Sequence, residues 1–158
     1  MLGPALLPRL RPKEATNPMI SQTGQYALRA VLYLARQPNG GYSLARDVAE
    51  AVDVPQHYLC KVLQALSRAR VLESQRGVNG GFRLARSPSD VTLLQVLEPV
   101  QDVFARGECL LGRRRCNVNI ACGLHGPWTD LIQQYHAFLE DTTVEDLVGA
   151  LATGDRAK

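Results

Sequence analysis

The stretch VLESQRGVNGGFRLAR, Val71 to Arg86, constrains the fold more than any other part of this chain. Two short segments, VLESQR and FRLAR, flank the glycine-rich tip GVNGG, and alternating segments around such a tip predict a hairpin. What precedes it is helical. From Gln22 to Arg36 the polar residues Gln22, Gln25, Arg29 and Arg36 share a narrow stripe, while Tyr26, Ala30, Val31, Tyr33 and Leu34 fill the rest. That spacing predicts a largely buried helix, stopped by Asn39-Gly40-Gly41. Ser43 is a candidate N-cap for a short second helix, LARDVAEAV. The turn Asp53-Val54-Pro55 leads into a third helix, QHYLCKVLQALSRA, whose first turn tolerates the proline. In this third helix Tyr58, Leu59, Val62, Leu63 and Leu66 make an apolar face, and His57, Cys60, Lys61, Gln64 and Arg68 the opposite one. The predicted fold is mainly α with a small β-hairpin wing. Helix, helix, helix, hairpin is the order of a winged helix-turn-helix, an order that protein-interaction modules also use.

Reading DNA requires short polar and basic side chains on the exposed face of one helix, its N-terminal residues nearest the base edges. Gln56, His57 and Lys61 meet that requirement, and the Tyr58 hydroxyl is close enough to the helix start to reach a phosphate. Ser43 belongs to the same candidate surface. A wing with Arg76 at its base and Asn79-Gly80 at its tip suits a minor groove or its flanking phosphates. Charge agrees with an anionic partner, double-stranded DNA. The formal net charge is +3, and residues 19–90 carry nine Lys/Arg against five Asp/Glu. Taken singly, these residues fit an ordinary solvated helix face and turn equally well. Cys60 falls on the polar stripe, where it is either a small shielded side chain or a thiol made reactive by Lys61.

Three of the four cysteines and one of the three histidines fall within Cys109–His125, spaced C-x6-C-x5-C-x2-H. Zinc sites usually pair ligands as C-x2–4-C on one tight turn, and this segment has no such pair. Widely spaced thiolates suit something broader than one ion. An iron–sulfur cluster fits, with Cys109, Cys116 and Cys122 as ligands and His125 as a candidate fourth. Arg113, Arg114 and Arg115 either offset the charge of a thiolate-bound cluster or form a solvated basic loop. Scattered buried thiols, or a zinc-stabilised module, are the alternatives.

Other classes find little support. No apolar run approaches the roughly 20 residues that span a bilayer. The opening MLGPALLPRLRPKEATNP has its charges after its apolar residues and lacks a small-x-small cleavage site, so it fails as a secretion signal. The expectation for residues 1–18 is a disordered extension, or an upstream start with Met19 as the functional beginning. A cytoplasmic location follows as an expectation, and a reducing compartment favours metal-binding over disulfide-bonded cysteines. The chain shows no paired catalytic carboxylates, no phosphate-binding glycine loop and no nucleophile with a base. An enzyme is therefore not expected, nor a small-molecule substrate. An iron–sulfur electron carrier would explain the cysteines but not the wing. Beyond the wing, a short helix is predicted from near Thr92. A helix bearing Trp128, Leu131, Ile132, Tyr135, Phe138 and Leu139 on a wide apolar face follows the cysteines, with His136 on its polar side. Thr143 is a predicted cap for a last helix, with Glu145 and Asp146 in its first turn.

From Met19 to about Leu151 the chain resembles the winged-helix iron–sulfur cluster regulators of the IscR, NsrR and RirA type. The matching pieces are MISQTGQYALRAVLYLA, VPQHYLCKVLQALSRARVLES, RGVNGGFRLAR, the loop cysteines and HGPWTDLIQQYHAFLEDTTVEDLV. The resemblance implies a homodimeric, sequence-specific transcriptional regulator, a repressor, whose affinity for a near-palindromic operator depends on a bound cluster. Cys109, Cys116 and Cys122 match the family's cluster cysteines, and His125 matches the fourth ligand of its cluster-assembly regulators. A 2Fe-2S centre is the first expectation and a 4Fe-4S centre the alternative. A thiol- or zinc-dependent winged-helix regulator without a cluster is the runner-up. The sequence departs from the family in three places. The first cysteine gap is one residue longer than the common x5. Gln25 stands where some nitric-oxide sensors carry an acidic ligand, and Cys60 stands where the cluster-assembly regulators carry a glutamate that helps choose DNA sites. The implied organisation is a DNA-binding region over 19–100, a cluster-binding loop over 101–126, a dimerisation helix and final helix over 127–152, and a disordered tail over 153–158.

Overall fold

The computed structural model describes residues 19–103 and 122–154. The extension at 1–18, Cys109, Arg113 to Arg115, Cys116 and the last four residues lie outside it.

Helix α1 (Gln22–Ala35) is the central post. Its N-cap Ser21 accepts a hydrogen bond from the Gly24 N–H at 3.0 Å, and Ala27, Ala30, Val31 and Leu34 are buried along its length. The small side chains of Ala27 and Ala30 let α2 (Ala45–Val52), α3 (Gln56–Arg68) and α4 (Leu93–Leu97) pack around it. Between α2 and α3 the chain reverses at Asp53, held in the left-handed region at φ 55°, followed by buried Val54 and then Pro55. Helix α3 buries Leu59, Val62, Leu63 and Leu66 at the i, i+3, i+4, i+7 spacing of one helical face. Tyr58 is a correction to the predicted apolar face: it is exposed, at the edge of that ridge.

Strands β1 (Leu72–Gln75) and β2 (Gly81–Leu84) form the expected antiparallel hairpin, with Leu72 opposite Leu84 and Gln75 opposite Gly81. Ser43 is a second correction. It does not cap α2, whose N-cap is Leu44 with no side-chain hydrogen bond. Instead its N–H donates to the Phe82 carbonyl at 3.0 Å and its carbonyl accepts from the Phe82 N–H at 2.9 Å, a third strand position beside the hairpin. Gly81 makes this possible. Its φ is +136°, and a Cβ there would collide with the Ser43 carbonyl.

Thr92 and Gln95 form a capping box on α4, as the Thr-x-x-Gln spacing requires. Helix α5 (His125–Asp141) and helix α6 (Val144–Gly154) complete the described chain, α6 reaching two residues into the predicted tail. Thr143 caps α6 as predicted, accepting from the Asp146 N–H at 3.1 Å. The α5–α6 junction is stitched to the segment before α4: Leu93 N–H donates to Thr142 at 2.9 Å, and Val144 N–H to Val91 at 2.8 Å. A small second core of Leu93, Leu94, Leu97 and Leu139 joins α5 to the body, while the main core lies among α1, α2, α3 and the hairpin.

Candidate nucleic-acid interface

The burial of Leu59 and Leu63 dictates where the rest of α3 points. With one ridge locked against α1 and α2, Gln56, His57, Tyr58 and Lys61 all emerge exposed from the first turn and a half. Among the described residues Lys61 and Arg76 have no acidic partner, so their charge is available to phosphate. Cys60 is half-buried between the two faces and is a free thiol.

Tyr58 is tied down from the side. Its hydroxyl shares a hydrogen bond with Thr23 Oγ1, and its ring meets Tyr26 edge-on with centroids 5.7 Å apart. Arg29 lies over the Tyr26 ring at 5.9 Å. The exposed end of α1, with Gln22, Thr23 and Tyr26, therefore flanks the start of α3. Sequence reasoning missed this: of the three only Gln22 lies on the polar stripe, and Tyr26 falls on the expected buried side.

In the wing, Arg76 and Asn79 are exposed, and Val78 is 96% exposed at the tip. Gly80 is a third correction. It is buried, its N–H donating to Gly77 at 3.0 Å, and a Cβ there would collide with the Gln75 carbonyl, so it shapes the turn instead of offering a surface. Ser43, 9% exposed behind β2, is likewise withdrawn from the surface. Arg83 is spent within the wing. It pairs with Glu73 across the hairpin at 2.8 Å and lies 4.5 Å over the Tyr42 ring, and the Glu73 hydrogen bond raises its already high pKa.

Of the four candidate cluster ligands, two are described. Cys122 is exposed, and His125, half-buried, opens α5 with its N–H donating to the Cys122 carbonyl at 3.0 Å. Thr129 Oγ1 donates to the His125 carbonyl at 2.8 Å, which steadies that first turn. A thiol and an imidazole one turn apart are donors suited to iron, so the described half of the set fits a cluster. No group of three or more His, Cys, Asp or Glu gathers elsewhere among the described residues, nor is any helix there long and apolar enough to cross a membrane.

A family model described as "Iron-dependent Transcriptional regulator", Rrf2, matches residues 20–150. The chain belongs to the Rrf2 family. Its relatives include protein aau3 of Rhizobium meliloti, 35% identical over 134 residues, 83% of this chain and 85% of that one. The HTH-type transcriptional regulator NsrR of Shouchella clausii is 35% identical over 124 residues, covering 78% and 83%. Among solved structures, CymR, the global cysteine regulator of B. subtilis, superimposes with a TM-score of 0.66 at 24% identity, covering 83% of this chain and 96% of that one. IscR of T. potens does so at 0.65 and 21%, covering 83% and 86%. This Rrf2 protein is thus a winged helix-turn-helix transcriptional regulator with DNA as its partner, and not an enzyme.

Proposed function

We propose that this Rrf2 regulator binds a near-palindromic operator in the cytoplasm as a homodimeric repressor, and that a cluster held by Cys109, Cys116, Cys122 and His125 sets its affinity. The observation that carries the DNA reading is the exposed first turn of α3, polar and unneutralised above a ridge of buried leucines. Gln56 and His57 read base edges; Lys61, Tyr58, Arg76 and Asn79 hold the backbone.

Iron is supported by the family's description and by relatives carrying the name NsrR. When bound, the cluster supplies a centre that iron shortage, oxidants or nitric oxide can remove or alter. The protein's part is mechanical. Cys122 and His125 stand at the start of α5, and its N-cap Leu124 with Trp128, Leu131, Tyr135 and Phe138 follows the alternating 4 and 3 spacing of a coiled-coil seam. Leu124, Leu131 and Phe138 are 52%, 51% and 55% exposed in the single chain, a face suited to a twofold mate. Ordering the start of α5 therefore bears on the helix that spaces two reading heads. A coupling of about 1–3 kcal/mol changes operator affinity roughly 5–150-fold.

A thiol switch without a cluster is the second reading, favoured by the likeness to a solved CymR of Staphylococcus aureus in an oxidised form and by the half-buried thiol of Cys60. Anaerobic purification with iron and sulfide assay, followed by gel shifts of loaded and stripped protein on the DNA upstream of its own gene, tests both. Brown protein with stoichiometric sulfide and two distinct affinities supports the cluster. Colourless protein whose DNA binding responds only to thiol oxidants supports the second reading.

A further inference from the structure

We propose that Gln101 is a positioning residue for the reading helix, acting on it through the first turn of α1. The inference rests on α3 being the helix that reads DNA. Gln101 Oε1 accepts hydrogen bonds from both the N–H (2.8 Å) and the hydroxyl (2.9 Å) of Ser21. Ser21 is the N-cap of α1, so one amide oxygen fixes backbone and side chain of the residue that starts the helix. The seat is tight, because a Cβ at Gly24 would collide with the same oxygen. One turn on, Thr23 and Tyr26 grip Tyr58 by hydroxyl and ring edge, and Gln22 Nε2 donates to the Tyr26 hydroxyl at 2.7 Å. The contacts run without a break from Gln101 to the first turn of α3.

A second tether acts on the same end of α1. The Tyr135 hydroxyl donates to the Met19 carbonyl at 3.2 Å, and Gln101, Trp128 and Tyr135 share the lining of one cleft of about 180 Å³. Gln101 precedes the cysteine segment in the chain and Tyr135 follows it, so both tethers come from its flanks. In this arrangement Gln101 sets where Tyr58, and with it Gln56 and His57, sit.

The test compares Gln101→Leu, which removes the acceptor at similar size, with Gln101→Glu, which keeps one. Ring signals of tyrosine-labelled protein, thermal midpoint, and operator affinity on the duplex from upstream of its own gene are recorded for each, and for Thr23→Val alone and combined. Gln101→Asn, which withdraws the acceptor by one methylene, replaces Gln101→Leu where the latter lowers the midpoint. The expected result is displaced Tyr26 and Tyr58 ring signals in Gln101→Leu, operator binding weakened roughly five- to tenfold, and recovery of both in Gln101→Glu. The double variant should lose less than the product of the two single losses. Unmoved ring signals, or single losses that multiply independently, overturn the proposal. Ring signals displaced in Gln101→Leu while the wild-type protein itself fails to bind the duplex would uphold the Gln101 link and overturn the DNA reading instead.

Discussion

Gln56 and Lys61 are both exposed on α3 and answer to different physics. A lysine on a phosphate releases counterions, so Lys61→Gln should weaken operator and scrambled duplex alike and reduce the slope of log K against log salt by about 0.9. An amide on a base edge carries discrimination, so Gln56→Ala should cost about 1–3 kcal/mol on the operator, little on scrambled DNA, and leave the slope unchanged. Anisotropy titrations at four salt concentrations measure both; a Lys61→Gln slope equal to wild type removes Lys61 from the backbone. In the wing the decisive residue is Gly81. At φ +136° and against the Ser43 carbonyl, Gly81→Ala should destabilise by about 1 kcal/mol or more, read as a lower urea midpoint. On α3 helical period alone separated the buried ridge from the exposed side, Tyr58 excepted. Ser43 and Gly80 misled for the same reason as each other. Their roles are set by Phe82 and Gln75, contacts that residue type and local spacing do not reveal.

At the scale of elements, the caps of α4 and α6 were legible, that of α2 was not, and the strand pairing only partly so. Thr92 with Gln95, and Thr143 with Asp146, are contained within one turn, so sequence spacing specifies them. The bridge from Ser43 to Phe82 joins distant segments and could not be read from either one. The α6 cap carries a pH signature. Asp146 accepts from the Thr143 hydroxyl at 2.6 Å and N–H at 2.9 Å, and these bonds hold its carboxyl below its ordinary value of 3.8. A depressed folded-state pKa means that the stabilisation is present above 3.8 and is lost as pH falls through the folded value. Asp146→Asn should therefore flatten the acid limb of the stability–pH curve below about pH 4 and leave a constant deficit at neutral pH. Thermal melts at stepped pH decide it; a variant curve parallel to wild type throughout would show that the cap contributes nothing through its charge.

For the whole molecule, the question is what α5 does with a face its own chain leaves open. Only Leu139 of its seventeen residues is fully buried, although α5 is the longest helix among the described residues. Sequence pattern revealed the aromatic face but could not say how much of it the same chain covers, since a core stripe and a dimer seam share one period. The structure divides it: Leu139 and Tyr135 meet α4 and its neighbours, while Leu131 and Phe138 remain in solvent. Charges placed at Leu131 and Phe138 therefore cost the monomer little and a twofold interface a great deal. Leu131→Glu with Phe138→Glu should leave helix content and thermal midpoint of the dilute protein close to wild type; the expected sedimentation is at the mass of two chains for wild type, as proposed, and at one for the double variant. Two reading heads must sit one DNA turn apart, about 34–36 Å, to hold a palindrome. The double variant should accordingly lose the full operator while keeping its weak, salt-sensitive affinity for any duplex. A double variant that remains dimeric, or a monomer that holds the operator as tightly as wild type, would place the subunit contact elsewhere and free α5 for a different partner.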